Sequence, residues 1–249
     1  MRSLFKLAWI ELKLFLREPT TLVFTFAFPI VMLFVMGEIF GHRQLHPGEH
    51  MFRDFGPLNY YVPAYCSLVA VSVGVIMLPM RLTSYRAGGV LRRFRAAHVP
   101  VWAVLGSQML AAFALAAVGA LLVWLFADVA YTVRFPASLP LVVVAFLFGT
   151  AAFCAIGALL GAVMPSTRAA EGAGLMLFFV MLFLSGAGPP VEFMSPTMGH
   201  IADFLPLSHS LAAMQDAWNG LGFNVGESLL LAAIAVAAGW VSLRVYRWE

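Results

Sequence analysis

Six long apolar stretches limit what this chain can fold into. Each is long enough to cross about 30 Å of hydrocarbon as an α-helix, which takes about 20 residues. Strands that alternate apolar and polar residues, as in a membrane β-barrel, are absent from the sequence. The sequence therefore predicts an all-α integral membrane protein with six transmembrane helices in a single domain, 1–249. The predicted spans lie near Leu22–Phe40, Tyr61–Leu82, Val101–Phe126, Leu139–Val163, Gly172–Gly188 and Ser228–Tyr246.

The composition leads to the same class of protein. Of the 249 residues, 62% are hydrophobic and 11% are charged, and the mean hydropathy is +0.90. A soluble domain of this size cannot hide so much apolar surface from water. Soluble and nucleic-acid-binding functions are therefore excluded, and we expect membrane lipids rather than nucleic acid around the chain. Cys66 and Cys154 both lie in apolar stretches, which predicts buried thiols and no disulfide.

The segment before the first span has a different pattern. On a helical wheel its basic residues share one narrow arc, and aromatic and leucine side chains spread over the opposite side. This pattern predicts an amphipathic helix over 1–19 that lies in the membrane surface and ends at Pro19. The basic residues of the arc are Arg2, Lys6, Lys13 and Arg17.

The distribution of basic residues predicts the orientation. Twelve of the fifteen lysines and arginines lie in the N-terminus, the second and fourth loops and the C-terminus, and only Arg43, Arg53 and Arg134 lie in the other loops. Because cytoplasmic segments are enriched in lysine and arginine, both termini are expected in the cytoplasm. The predicted location is a cell (inner or plasma) membrane.

Several kinds of chemistry are not expected. The phosphate-binding pattern G-x-x-x-x-G-K-[ST] does not occur, so ATP and Mg²⁺ would bind to another chain, and no cofactor is predicted here. A metal site at His42, His46 and His50 is disfavoured because Pro47-Gly48 interrupts that spacing. A serine-protease dyad of Ser185 with His200 or His209 is also disfavoured, because both histidines are expected in a loop. Apart from Glu38 near one end, the spans are almost free of the ionisable residues that proton-coupled carriers use, so energy for transport would come from a partner.

The second cytoplasmic loop suggests a docking segment. Gly88-Gly89 is expected to separate the second span from a short helix over 90–97. Leu91 and Phe94 share one face of that helix, and Arg92, Arg93 and Arg95 surround them. An apolar knob ringed by guanidinium groups suits an acidic groove on a partner protein, whereas a plain basic loop would contact lipid head groups. The residues alone leave these alternatives open.

Three stretches resemble the ATP-binding-cassette type-2 permeases. Residues 85–100 read Y-R-A-G-G-V-L-R-R-F-R-A-A-H-V-P and are similar to the family segment E-x-G-T-L-x-R-L-x-A-T-P, although the acidic residue before the glycine is missing. Residues 183–196 are similar to the family turn F-x-S-G-x-x-x-P-x-E-x-x-P. Residues 201–218 are similar to its continuation, and the start over 11–19 is also typical. The resemblance runs in order through essentially the whole chain.

The resemblance implies a dimer of permeases, identical or different, each bound to a separate cytoplasmic ATPase subunit. The connecting helix would be 1–19 and the coupling loop 83–99. The external loop 189–227 would carry short re-entrant helices, with helix starts expected at Pro196 and after Ser208. The implied ATPase-docking residues are Arg86, Gly88, Gly89, Leu91, Arg92, Arg93, Phe94 and Arg95. The implied external cap residues are Gly186, Pro190, Glu192 and Pro206.

The function predicted in this way is the permease subunit of an ATP-driven exporter, without enzyme activity of its own. Aromatic and methionine side chains in the spans would suit a lipophilic drug or a lipid as cargo, although packing against lipid or other helices accounts better for any one of them. The candidate pathway residues are Phe24, Phe28, Phe178 and Met181. A polysaccharide exporter is the first alternative, and a non-transporting membrane scaffold is an alternative of another class.

Overall fold

The structure, a computed structural model, describes residues 9, 13, 19–41, 51–89 and 101–245. Within 19–41, 51–89 and 101–245 it contains eight α-helices, some with a π-turn, two 3-10 helices at Phe52–Asp54 and Val191–Phe193, and no strand. We number the helices α1 to α8 in chain order. Helix α1 runs through Pro19–Leu22, Val23–Ala27 and Phe28–Phe40, and the others are α2 Pro57–Ala87, α3 Val101–Tyr131, α4 Leu139–Val163, α5 Thr167–Leu184, α6 Pro196–Ala202, α7 Pro206–Asn219 and α8 Val225–Val245. Six of them, all but α6 and α7, are long and apolar enough to cross a membrane.

The six predicted spans are confirmed, with changes at their ends. Helix α3 continues five residues beyond the predicted Phe126, to Tyr131. Helix α5 lies earlier than the predicted Gly172–Gly188: it starts at Thr167, where Ser166 Oγ accepts a hydrogen bond from Ala169 N–H (3.2 Å). It ends at Leu184, because the chain turns at Gly186 with φ +92°.

Helix α2 is the centre of the bundle. The whole of its apolar window is buried, and α1, α3, α4, α5 and α7 pack around it. Helix α8 lies at the periphery against α4 and α7. A core of this kind, formed around one fully enclosed helix, leaves the outer faces of the remaining helices for lipid or for other protein chains.

The centre of α2 departs from regular α-helix. Residues Ser72–Met77 form a π-turn in which Leu78 N–H bonds to Val73 O, and Pro79 follows. Helix α1 repeats this arrangement, with a π-turn at Val23–Ala27 followed by Pro29. The two turns meet where Ser72 Oγ donates a hydrogen bond to Thr25 Oγ1 over 3.2 Å. Because a proline has no N–H to donate, each π-turn accommodates the backbone hydrogen bond that is missing at the proline.

Glycines on neighbouring helices permit close contact with the π-turn of α2. A Cβ atom at Gly157 of α4 would lie 1.8 Å from Gly74 O, and one at Gly174 of α5 would lie 2.2 Å from Val75 O. Only glycine lets the backbones approach so closely. The carbonyl of Val75 is also the one that would have bonded to the missing N–H of Pro79. Helices α4 and α5 thus close around the irregular part of α2.

The short helices between α5 and α8 are partly as predicted. Helix α6 begins at Pro196, and Ser195 Oγ accepts a hydrogen bond from Met198 N–H, as expected for its cap. The predicted cap at Ser208 is wrong, because α7 begins at Pro206 and Ser208 lies in its first turn. Helix α7 ends at Asn219 before Gly220, as predicted. Cys66 and Cys154 are both buried free thiols, which confirms that prediction.

The predicted interfacial helix over 1–19 lies outside the described residues except at Trp9, Lys13 and Pro19. Trp9 and Lys13 are helical, and the Lys13 ammonium lies 5.3 Å from the Trp9 ring centroid. This contact is a cation–π pair one helical turn apart. Pro19 is the first residue described in α1.

Candidate functional site

The bundle has two polar ends, and we name them by the residues they contain. The Gly88 end includes the last turn of α2 and the link 164–166 between α4 and α5. The cap end includes 51–56, the turn 185–190, and helices α6 and α7. Described residues next to the loops that the charge pattern placed on one side of the membrane lie together at each end, since Arg53 contacts Gln215 at the cap end and Arg86 contacts Ala162 at the Gly88 end. The six helices therefore alternate in direction as predicted.

At the Gly88 end, Arg86 fastens α2 to α4. Its guanidinium donates to Ala162 O over 3.1 Å and also to Met164 O. These carbonyls belong to the last turn of α4 and the residue after it, where helix carbonyls lack an intrahelical partner. The cation also lies at the negative end of the α4 dipole. Arg86, predicted to contact an ATPase, thus holds two helices of this chain together.

The predicted docking segment starts where α2 ends. Helix α2 stops at Ala87, and Gly89 adopts φ +64°, so the predicted break at Gly88-Gly89 is confirmed. Gly88 and Gly89 lie at the surface of this end. The other predicted docking residues, Leu91, Arg92, Arg93, Phe94 and Arg95, lie outside the described residues.

At the cap end, the chain before α2 makes a strained turn. Phe52, Arg53 and Asp54 all have φ between 52° and 62°, in the left-handed region that residues other than glycine rarely adopt. Phe52 is fully buried among aromatic side chains, with its ring 5.5 Å from Phe40 and 5.8 Å from Tyr61, centroid to centroid. Burial of the Phe52 side chain offsets the free-energy cost of this left-handed backbone. In this conformation Arg53 points toward α7.

Two tyrosines of α2 hold the turn that follows α5. Tyr60 Oη donates to Gly186 O over 3.0 Å, and Tyr61 Oη donates to Gly188 O over 3.1 Å. Gly186 and Pro190, both predicted cap residues, are buried in this turn. Residues 185–190 therefore form a fixed turn, as the resemblance of 183–196 implied, and the fifth span does not extend to Gly188 as predicted.

Arg53 joins the cap elements through charged hydrogen bonds. Its guanidinium donates to Asp216 Oδ1 over 2.7 Å and to Gln215 Oε1 over 3.0 Å, both in α7. Its backbone N–H donates to Glu192 Oε1 over 3.1 Å. Asp216 Oδ2 accepts from Asn224 Nδ2 over 2.7 Å. Glu192 was predicted as a cap residue, whereas its partner Arg53 was not recognised from the sequence, and neither were Asp216 and Asn224.

A cavity of about 510 Å³ lies beneath these contacts. Helices α6 and α7 form two of its walls, and Arg53, Tyr60, Ser185 and Glu227 contribute from the other elements. His209 fixes one side, since its Nδ1 lies 2.5 Å from Glu227 Oε2 and its Nε2 lies 2.9 Å from Asp203 O. His209 therefore ties the end of α6 and the start of α8 to α7. Pro206, the last predicted cap residue, starts α7 beside this wall.

The cavity brings together Ser185, His200 and His209. Both histidines lie between the fifth and sixth spans, as expected from the sequence, His200 in α6 and His209 in α7. Ser185 Oγ is buried and has no hydrogen-bond partner in the described part of the chain, and both ring nitrogens of His209 already contact other groups. The three side chains therefore line one space without forming a nucleophile–base pair.

The predicted pathway residues lie between α1 and α5. Phe178 contacts Phe24 (5.6 Å between ring centroids) and Phe28 (5.5 Å), and all three form one aromatic cluster with Phe179. Phe178 is fully buried and Met181 is 2% exposed, so both lie in the core of this chain. Phe24 and Phe28 are half-buried.

The exposed residues of the surface formed by α1 and α5 were not recognised from the sequence. Phe183 is 53% exposed and stacks on Phe179, and Met176 on the same helix is 71% exposed. A cleft of about 310 Å³ opens between Phe183 and Met36 of α1 and has an entirely apolar lining. The spacing Phe179–Phe183, one helical turn apart, was the available signal.

Six helices long and apolar enough to cross a membrane, with polar contacts at the two ends of the bundle, are the architecture expected of the membrane domain of a transporter. The family model described as ABC-2 type transporter matches residues 2–218. The chain therefore belongs to the ABC-2 type transporter family and is a transmembrane permease of an ABC exporter. No curated protein matches the chain significantly.

Proposed function

We propose that this permease works as a dimer, is driven by separate cytoplasmic ATPase subunits, and exports a lipophilic drug or a lipid. The observation that carries the proposal is the family match over residues 2–218, in a chain that has six spans and no phosphate-binding loop of its own. In the proposed orientation, the Gly88 end faces the cytoplasm and the cap end faces outward, as the distribution of lysine and arginine favours.

The attachment of Arg86 supports a docking role for the loop after α2. A partner that moves residues 90–100 would pull on Ala87 and hence on α2 and α4 together, because Arg86 joins the two helices within a few residues of Gly88. Arg86 acts here as a positioning residue and would not itself contact the ATPase. Leu91 and Phe94 would supply the apolar contact, and Arg92, Arg93 and Arg95 the charge.

The α1–α5 surface supports a pathway between two copies. Its exposed side chains are apolar and large, and its cleft is wide enough to admit an acyl chain or an aromatic ring. Phe179 and Phe183 are the proposed contacts with cargo on this surface. Phe178 and Met181 would support them from behind, as core residues.

Co-purification tests the ATPase partnership. The chain is expressed with a candidate soluble ATPase that carries the phosphate-binding pattern, and pull-down and ATPase activity in nanodiscs are measured for Leu91→Asp and Phe94→Asp. Each substitution places a carboxylate in the proposed apolar contact and is expected to abolish the complex while leaving the six-helix bundle folded.

Matched controls are available at the opposite end of the molecule. Leu221 is 67% exposed and Phe204 is 85% exposed, both at the cap end, so Leu221→Asp and Phe204→Asp introduce the same charge away from the docking loop. Both controls should retain the complex. Normal complex formation by Leu91→Asp and Phe94→Asp would show that the docking assignment is wrong.

A further inference from the structure

The cavity at the cap end is large enough for a small organic molecule. Its volume of about 510 Å³ falls in the range of ordinary ligand pockets. Most of its exposed wall area is apolar, with contributions from Val191, Leu211 and Ala212, although nine of its fifteen lining residues have polar or charged side chains. This combination suits an amphipathic molecule better than a fully polar one.

Two hydroxyl groups on the wall lack partners. Ser185 is 2% exposed, and its Oγ has no hydrogen-bond partner in the described residues; the same is true of Ser208 Oγ. A buried hydroxyl without a partner is costly, and native structures usually supply one from protein, water or ligand. Both serines line the cavity, so a rotation of either side chain about χ1 would bring its buried hydroxyl to a ligand donor inside it.

The charge of the cavity is negative. Arg53 is already paired with Asp216, and Glu227 lies against His209. Asp203, on the wall, has no cationic partner among residues 19–41, 51–89 and 101–245. The loop 189–227 that forms most of the wall contains no lysine or arginine. A cation is therefore the charge that this cavity can accept.

We infer that this cavity binds the ammonium group of an amphipathic organic amine. The carboxylate of Asp203 would supply the charge, Glu227 would add to the negative field, and Ser185 Oγ would accept an ammonium N–H. The apolar wall would take the attached ring or chain. This inference rests on the proposed export function. It adds the chemical class of the cargo and a binding site for it at the cap end.

Binding is tested on the purified full chain in nanodiscs, without any ATPase. The probe is dansylcadaverine, a fluorescent amphipathic primary amine whose emission rises in apolar surroundings. Its N-acetyl derivative, which keeps the dansyl ring and chain but carries no charge, measures binding by the apolar part alone. The wild type should bind the amine at least about tenfold more tightly than the acetylated form.

Three variants and one control locate the site. Asp203→Asn, on an exposed residue, should weaken amine binding about tenfold without unfolding the chain. Glu227→Gln should weaken it, and Ser185→Ala should weaken it about threefold. Asp128→Asn removes an exposed carboxylate at the end of α3 that does not line the cavity, and should bind like the wild type.

The outcomes separate this inference from the proposed function. The cavity assignment would be overturned if the chain bound the amine and its acetylated form equally well. It would also be overturned if Asp203→Asn and Ser185→Ala both bound the amine with wild-type affinity. Neither result would affect the proposed ATPase partnership. If amine binding depends on Asp203 but the chain forms no complex with the ATPase, the cavity assignment is supported and the proposed function is refuted.

Discussion

Arg53 and Asp216 form an ion pair of 2.7 Å that connects the chain before α2 with α7. The two side chains are 32% and 11% exposed, so the pair is partly shielded from solvent. Asp216 also accepts from Asn224, which caps the start of α8 by accepting from Glu227 N–H. One carboxylate therefore sets the positions of three elements at the cap end, and it does so opposite an arginine held in a left-handed backbone conformation.

Removing either member of this pair should destabilise the cap end. Arg53→Ala and Asp216→Asn are each expected to cost about 2 kcal/mol, because the remaining partner keeps a partly buried, unpaired group. For a chain of this size that corresponds to a fall in Tm of about 4–8 °C, measured by thermal unfolding in detergent. Arg134→Ala, at an exposed position in the loop after α3, should leave the Tm unchanged. A double variant that loses as much as the two single variants combined would show that the pair contributes no coupling energy.

The contact of α5 with the π-turn of α2 gives a sharp comparison between two glycines. Gly174→Ala should destabilise the bundle by about 1–3 kcal/mol, because the new Cβ would overlap Val75 O. Gly172→Ala, two residues earlier, meets nothing within 4 Å and should be neutral or stabilising, since alanine favours helix. Thermal unfolding of both variants tests this. Equal destabilisation of the two would mean that the close contact is absent.

Arg86 should matter for coupling rather than for binding of the ATPase. Arg86→Ala is expected to retain the complex but to lose at least about half of the cargo-stimulated ATPase activity, because α4 is no longer fastened to α2. Arg168→Ala provides the control, since Arg168 is exposed at the same end of the bundle. Loss of the complex itself in Arg86→Ala would indicate instead that this arginine contacts the ATPase directly.

The proposed dimer surface can be tested by cross-linking. Phe183→Cys places a thiol on the exposed side of α5, and copies that meet through this face should form a disulfide-linked dimer on oxidation. The two native cysteines are buried, so they contribute little background. Val236→Cys on α8, at a position that is 73% exposed, should stay monomeric. Cross-linking of the Val236→Cys variant, but not of the Phe183→Cys variant, would move the interface to α8.

The spans and their alternation could be predicted because hydropathy and charge are local properties of the chain. The ends of the helices were harder, since they depend on contacts with other elements. The fifth span was placed too late because Ser166 starts the helix ahead of its apolar run and the 185–190 turn is held by tyrosines of α2. Ser208 resembles a cap in sequence, but Pro206 begins the helix earlier.

The candidate site was only partly visible in the sequence. Glu192 and Gly186 were recognised by motif, but their partners Arg53 and Tyr60 lie more than 120 residues away in the chain. Arg86 was assigned to a partner protein because a basic loop gives no sign of which carbonyls lie nearby. Phe178 and Met181 were recognised by type, whereas their burial depends on how α1 packs against α5.

The π-turn of α2 sets the heading at which the chain leaves the bundle after Ala87. A π-turn accommodates one residue more than the α-helix around it, and each residue of an α-helix advances the chain by about 100° about its axis. If Ser72–Met77 became regular α-helix with no residue removed, the part of α2 that follows, Leu78–Ala87, would rotate by about 100° about the helix axis. Arg86 would then move away from Ala162. Deleting one residue from the turn would remove the irregularity and keep the heading. The direction in which the chain leaves α2, toward the proposed docking loop, thus depends on six residues buried in the middle of the membrane domain.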